Sequence, residues 1–139
     1  VSNVASSRGY IKTLLGRKRR FNMWEPRDSW GERAYSLSEA HSHYPKQELK
    51  RAYTHTAMNA LIQGSSADIT KAAMIKIYEA GLLDEIDLKL TVHDELDFSV
   101  PHGKQKCFED SLQIMKTCVD LKVPLTVDVE KGDSWGTIK

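Results

Sequence analysis

Cysteine is scarce in this 139-residue chain, which has two, Cys107 and Cys118. Eleven positions apart on a predicted helix, they face one side of it but stand about 16 Å apart along the axis. That span is too long to bridge, so a disulfide scaffold is excluded and the pair fits a reducing compartment. No zinc-ligand spacing accompanies them. Long apolar runs are also missing, which excludes a transmembrane helix. The first twenty residues are polar and basic and show no secretory signal. There are no repeats and no low-complexity tract. The length suits one small domain or a piece of a larger one, and a 40% apolar composition is enough for a core.

What is present is unevenly spread. Residues 1–51 hold eleven Lys or Arg against five Asp or Glu, whereas residues 52–139 hold nine against fourteen. The halves therefore carry +6 and −5 beneath a net charge of +1. A basic front and an acidic rear fit a protein that grips a polyanion with one part and cations with the other; segregation of solvated charge gives the same pattern.

Periodicity predicts an α+β chain with helices on an antiparallel sheet. Residues 1–8 read as the end of a helix broken by Gly9. Tyr10–Leu14 and Lys18–Phe21 read as a hairpin turning at Leu15-Gly16-Arg17. Residues 22–45 form a polar, irregular excursion, either a loop throughout or a loop with a short helix at Ser36–His43. Pro45 suits a helix start, and Leu49, Tyr53, Ala57 and Leu61 carry a helical pattern to about Ile62. Gly64-Ser65-Ser66 interrupts it, with Asp68 helping to restart a second helix over Ala67–Ala80 that Gly81 ends. A hairpin, a helix over Lys104–Val119 and a last strand at Leu125–Val129 complete the expectation, with Pro101 and Pro124 at element boundaries.

The hairpin is the most informative feature. Leu88, Leu90 and Val92 alternate before Val92-His93-Asp94-Glu95, and Leu96, Phe98 and Val100 alternate after it, placing the acids at a strand-pair tip. A carboxylate held there suits a hard cation such as Mg²⁺, and one such tip makes half of a two-metal phosphoryl-transfer site. A solvated, inert hairpin tip gives the same pattern, and the His93-Asp94 doublet also invites a His-Asp metallohydrolase. His41, His43 and His55 offer no convincing ligand spacing for the latter. Next, Arg51, His55, Asn59 and Gln63 recur every four residues, which on one helix is a polar stripe about 18 Å long. Such donors suit phosphates, sugars or minor-groove acceptors read without regard to sequence, although an exposed helix face is polar by default. Arg17, Lys18, Arg19 and Arg20 form a cationic run that a nucleic-acid backbone would relieve.

Taken together, these segments resemble the family A DNA polymerases, the group that includes bacterial DNA polymerase I and its phage relatives. Gly9-Tyr10-Ile11-Lys12-Thr13-Leu14-Leu15-Gly16-Arg17-Lys18-Arg19 resembles the segment that follows the fingers. The run from Asn59 through Gln63-Gly64 to Ile69 resembles the helix on the primer–template minor groove. Val92-His93-Asp94-Glu95-Leu96 matches motif C of the palm. Val123-Pro124-Leu125 and Gly132-Asp133-Ser134-Trp135 resemble the C-terminal close. The resemblance implies a partial domain whose antiparallel palm-type sheet, with the motif C hairpin, packs against helices. It also implies nucleotidyl transfer from a deoxynucleoside triphosphate to a primer on template DNA.

On that resemblance Asp94 coordinates the catalytic Mg²⁺ ions, Glu95 supports it, and His93 lies near the primer 3′ end. Asn59 and Gln63 contact the duplex, with Arg51 and His55 on the same stripe. Arg17, Lys18, Arg19 and Arg20 contact the DNA backbone. Position 55 is often Arg in bacterial members and is His here, as in some phage-like ones. The stretch Met23–Lys46 is longer than the connection usual in the bacterial enzymes. Motif A, a segment like Asp-Tyr-Ser-Gln-Ile-Glu, is missing from these residues, as are the fingers helix, the thumb and an exonuclease domain. The expectation is a palm portion, in a bacterial or phage-infected cytoplasm, that is inactive until another chain or segment supplies motif A and the fingers. The rival expectation is a non-catalytic duplex-DNA clamp.

Overall fold

The computed structural model describes residues 1–28 and 31–138. Its elements are α1 (Ser2–Arg8), β1 (Tyr10–Lys12), β2 (Lys18–Arg20), β3 (Trp24–Pro26), α2 (Leu37–His43), β4 (Leu49–Arg51), α3 (Ala57–Glu79), β5 (Asp87–Val92), β6 (Glu95–Ser99) and α4 (Gln105–Thr117). The class is α+β, as expected, with three two-stranded antiparallel sheets: β1–β2, β3–β4 and β5–β6. Two compact units divide the chain, Val1–Asp68 and Ile69–Lys139. No helix among the described residues is long and apolar enough to cross a membrane.

In the first unit α1 stops where expected. Gly9 takes φ 75° and its N–H donates to the Ala5 carbonyl at 2.9 Å. A side chain at Gly9 would have to adopt the left-handed region and would meet the Arg51 guanidinium carbon at 2.7 Å. The chain then enters β1, turns, and returns through β2, so that Ile11 and Phe21 join Ala5 and Ala57 in the core, with Ala60 and Leu61 packed against them. Burying Ile11 and Phe21 contributes about 2 kcal/mol each.

Between residues 22 and 57 the structure departs from the expectation of an irregular excursion followed by a helix. Residues 49–51 form β4, which pairs with β3 in the register Trp24↔Arg51, Glu25↔Lys50 and Pro26↔Leu49. The helical spacing of Leu49 and Tyr53 was overridden by a partner more than twenty residues away. The Arg51 guanidinium lies 4.5 Å above the Trp24 ring and donates to the Phe21 carbonyl at 2.9 Å, locking β4 in place. Tyr53 follows at φ 61°, a conformation that a helix interior does not contain. The short helix anticipated at Ser36–His43 is α2, and the Ser36 N–H donates to the Glu39 carboxylate at 3.2 Å in its first turn. The part of the excursion at residues 29–30 lies outside the described residues.

The break expected at Gly64-Ser65-Ser66 is not a break. α3 runs through it for 23 residues. Gly64 is there because Thr13 needs the room: a Cβ on Gly64 would stand 2.7 Å from Thr13 Cγ2. Helix propensity alone makes Gly64→Ala stabilising by about 1 kcal/mol, whereas the overlap with Thr13 makes it destabilising by about 1–3 kcal/mol. Urea unfolding of the two proteins decides the sign, and a rise in midpoint would contradict the close approach.

In the second unit, Ala73, Ile77, Ile86 and Cys118 are buried, and so is Ser111, whose hydroxyl donates to the Cys107 carbonyl at 2.9 Å. Phe98 of β6 meets Phe108 of α4 edge-on at 6.0 Å between centroids. Lys104 pairs with Glu85. Both cysteines are free thiols. Burial pushes the Cys118 thiol above its usual pKa, which lowers its thiolate fraction.

The β5–β6 hairpin forms where the alternation put it, but with a changed register. The pairs run Asp87↔Ser99 and Leu88↔Phe98, then shift to Leu90↔Asp97, Thr91↔Leu96 and Val92↔Glu95. Lys89 is the extra residue of a β-bulge, so every later side chain of β5 changes face. Leu88 points with Phe98, while Leu90 and Val92 point with Asp97 and Glu95; both are exposed. The expectation that Leu88, Leu90 and Val92 share a face is therefore corrected. The anticipated strand at Leu125–Val129 is not formed either: it has no ladder partner among the described residues, and a strand exists only by pairing.

Candidate functional site

The tip of β5–β6 is a two-residue loop, His93-Asp94, closed by the Val92↔Glu95 pair. His93 takes φ 54°. For a residue with a Cβ this is a strained conformation, held here by the paired strands on either side. His93, Asp94 and Glu95 are all exposed. Among the described residues the carboxylates of Asp94 and Glu95 have no ion-pair partner. No three His, Cys, Asp or Glu side chains gather as a metal-holding group among them. An exposed carboxylate such as that of Asp94 could serve a hard cation as a single ligand. It offers one or two oxygens where Mg²⁺ takes six ligands. Among the described residues no histidines gather with the His93-Asp94 doublet as a His-Asp metallohydrolase would need.

The polar stripe is not one stripe. Asn59 and Gln63 are exposed and one turn apart on α3, His55 is exposed on the 3₁₀ turn Thr54–Thr56 before it, and Arg51 belongs to β4. A spacing of four aligns residues only when all four are helical, and here the helix begins at Ala57. The donors of Arg51 go to Phe21 and its plane to Trp24.

Strand alternation divides the cationic run as well. The register is Tyr10↔Arg20, Ile11↔Arg19 and Lys12↔Lys18. Directly paired residues share a face, so Lys12, Lys18 and Arg20 stand together on the face away from buried Ile11. Lys18 Nζ lies 4.9 Å from the Tyr10 ring centroid on that face. Arg19 is on the other side, its guanidinium carbon 5.8 Å from the Phe21 ring. The sequence reading missed Lys12; its signal was the period of two, Tyr10 then Lys12, within a strand already anticipated.

Arg17 is exposed, yet its guanidinium is tied down. Its Nε donates to Asp68 Oδ1 at 2.9 Å and its terminal nitrogen to the Gly64 carbonyl at 2.9 Å. Asp68 is buried, 6% exposed, and also accepts the Leu15 N–H at 3.3 Å. The Leu14 N–H donates to the Ser65 hydroxyl at 3.0 Å. Asp68 therefore lies inside α3 as an acceptor for the β1–β2 turn, where the sequence had suggested a helix restart. Burial opposes its ionisation, but the Thr13 hydroxyl, Arg17 and the Leu15 N–H outweigh burial and hold its pKa below the usual aspartate value.

A depressed native pKa means that the unfolded chain takes up the proton first. Stability is then full above the ordinary aspartate value and falls as pH drops from about 4 through the native pKa. The melting temperature of the wild-type chain is expected to fall more steeply over that acid window than that of Asp68→Asn. Parallel profiles would show that Asp68 contributes no such linkage.

Comparison with known proteins accords with this geometry. The model of DNA polymerase family A matches residues 1–137. A DNA-directed DNA polymerase of Pseudomonas phage M6 is 42% identical over 132 residues, covering 95% of this chain and 16% of the relative. DNA polymerase theta of Drosophila melanogaster is 36% identical over 149 aligned residues, covering 100% of this chain and 6% of the relative. A Synechocystis DNA polymerase I is 36% identical over 138 residues, covering 94% and 13%. Among solved structures, the POL domain of Pol1 from M. smegmatis, in complex with DNA primer-template and dNTP, aligns with a TM-score of 0.71 at 34% identity. That alignment covers 97% of this chain and 21% of the solved one. The chain thus spans a small fraction of the length of each relative, yet nearly all of it is matched, and it belongs to DNA polymerase family A.

Proposed function

We propose that this chain is the C-terminal palm portion of a DNA-directed DNA polymerase, active once motif A and the fingers are supplied by another segment or polypeptide. The observation that carries the reading is the family match over the segment with Val92-His93-Asp94-Glu95-Leu96, together with an Asp94 carboxylate exposed at a paired hairpin tip. In the reaction the primer 3′-oxygen forms a bond to the α-phosphorus of a deoxynucleoside triphosphate. The bond from that phosphorus to the bridging oxygen breaks, the hydroxyl proton departs, and pyrophosphate leaves. Asp94 would hold Mg²⁺ together with a carboxylate from motif A, with Glu95 in support. When bound, Mg²⁺ supplies Lewis acidity at the hydroxyl and at the phosphoryl oxygens. His93, presented by its left-handed backbone, lies beside the primer terminus. His55, Asn59 and Gln63 donate to the duplex, and Lys12, Lys18 and Arg20 face its phosphates. Arg19 and Arg51 brace that surface through Phe21 and Trp24.

The fit of the binding partners is supported by the M. smegmatis relative, which was solved with primer-template and dNTP. The test is primer extension. The isolated chain is expected to extend no primer, and a mixture with a polypeptide carrying motif A and the fingers is expected to do so in Mg²⁺. Extension by the isolated chain would sink the shared-site reading.

A second reading is favoured by the outward group of Lys12, Lys18 and Arg20: a non-catalytic duplex-DNA clamp. A clamp loses affinity steeply with salt but is indifferent to Asp94. Restored extension that survives Asp94→Ala would leave the clamp standing.

A further inference from the structure

The β1–β2 hairpin is too short to hold itself. Three residues per strand in a two-stranded sheet are marginal in water, so its direction must be set by what it is fastened to. Its turn is fastened to one stretch of α3. Leu14 N–H reaches Ser65 Oγ, Leu15 N–H reaches Asp68 Oδ2, and Arg17 reaches Asp68 Oδ1 and the Gly64 carbonyl. Ser65 is in turn fixed by donating to the Leu61 carbonyl at 2.7 Å. The absent side chain at Gly64 lets Thr13 settle against the helix. The same α3 carries Gln63 and Asn59, five and nine residues before Asp68.

We propose that Asp68 is a positioning residue for duplex binding: by clamping the β1–β2 turn onto α3 it presents Lys12, Lys18 and Arg20 in register with Asn59 and Gln63. This rests on the reading above that those side chains face DNA. It also gives Arg17 a role as the clamp's cation rather than as a phosphate contact. Simple electrostatics gives the opposite expectation. Asp68 is a buried anion beneath a basic surface, and removing it adds one positive unit and releases the Arg17 guanidinium, both of which should tighten binding to a polyanion.

The test is fluorescence anisotropy of a short primer–template duplex, titrated with the full chain over a range of salt concentrations. Asp68→Asn is expected to bind about tenfold more weakly, with the slope of log affinity against log salt reduced by about two, because fewer phosphates are neutralised at once. A mere loss of folded protein scales the apparent affinity and leaves that slope unchanged, so the slope separates positioning from stability. Ser65→Ala, which removes only the Leu14 acceptor, is expected to act in the same direction by about twofold, and it decides the matter if circular dichroism shows Asp68→Asn unfolded. Equal or tighter binding by Asp68→Asn with an unchanged slope overturns the inference, as does wild-type binding by Ser65→Ala. If the unsubstituted chain shows no salt-dependent duplex binding, the DNA-facing surface and the inference fall together. If it binds and only the Asp68 effect is missing, the inference alone falls.

Discussion

Asp94→Ala is expected to reduce primer extension by the complemented polymerase at least about a thousandfold, about 4 kcal/mol at 1.36 kcal/mol per decade. The size follows from the hairpin. Among the described residues no third ligating group lies with Asp94 and Glu95, so no neighbour is in place to take over when Asp94 is lost. Glu95 is adjacent in sequence, but its side chain is fixed by strand pairing opposite Val92, whereas Asp94 occupies the loop itself. Glu95→Ala is accordingly expected to cost less, about tenfold. Asp94→Ala should leave folding intact, because the side chain is exposed and makes no ion pair among the described residues. A thermal melt of Asp94→Ala that matches wild type, together with lost extension, separates a chemical defect from a structural one. Equal activities for Asp94→Ala and wild type would remove Asp94 from the reaction.

The second large effect concerns DNA binding. Replacing Lys12, Lys18 and Arg20 together by alanine is expected to reduce the salt slope of duplex affinity by about three, and the affinity at low salt on the order of a hundredfold. The three side chains share one face of a short sheet and are all exposed, so they can reach phosphates simultaneously. Lys106→Ala on α4 changes the net charge without altering β1 or β2, and it should leave the slope as it was. Equal reductions by Lys106→Ala and by any one of the three would point to diffuse charge in place of a built surface.

Local signals were the readable part of this sequence. The end of α1 at Gly9, the short helix that was one of two readings of Ser36–His43, the β5–β6 hairpin and α4 each depend on residues a few positions apart, and each formed close to where it was expected or allowed. The errors share a cause: contacts between distant positions. Leu49–Arg51 carried a helical pattern but became strand because Trp24–Pro26 offered a ladder and a ring for Arg51. Gly64 looked like a helix breaker and is a clearance for Thr13, fifty-one residues earlier in the chain. The bulge at Lys89 turned Leu90 and Val92 to the opposite face, and nothing in an alternating apolar pattern announces an inserted residue.

For the candidate site the division is similar. The hairpin that carries His93, Asp94 and Glu95 was legible because its two strands are neighbours in sequence. The basic surface was only half legible. Four adjacent cations suggested one patch, yet a strand shows only alternate residues to one side, and the face was completed by Lys12 from the paired strand. Asp68 could not be found from sequence at all, since its role consists of bonds to Leu15 and Arg17 more than fifty residues away.

Whether Asp94 contributes half of a metal site is most directly measured by electron paramagnetic resonance, with Mn²⁺ standing in for Mg²⁺. The chain alone is expected to take up the ion only at millimolar concentration or above. Mixed with the polypeptide carrying motif A, it should bind at least about tenfold more tightly, and Asp94→Ala should abolish that gain. Tight uptake by the isolated chain, or a gain that persists in Asp94→Ala, would contradict a site divided between Asp94 and a carboxylate from elsewhere.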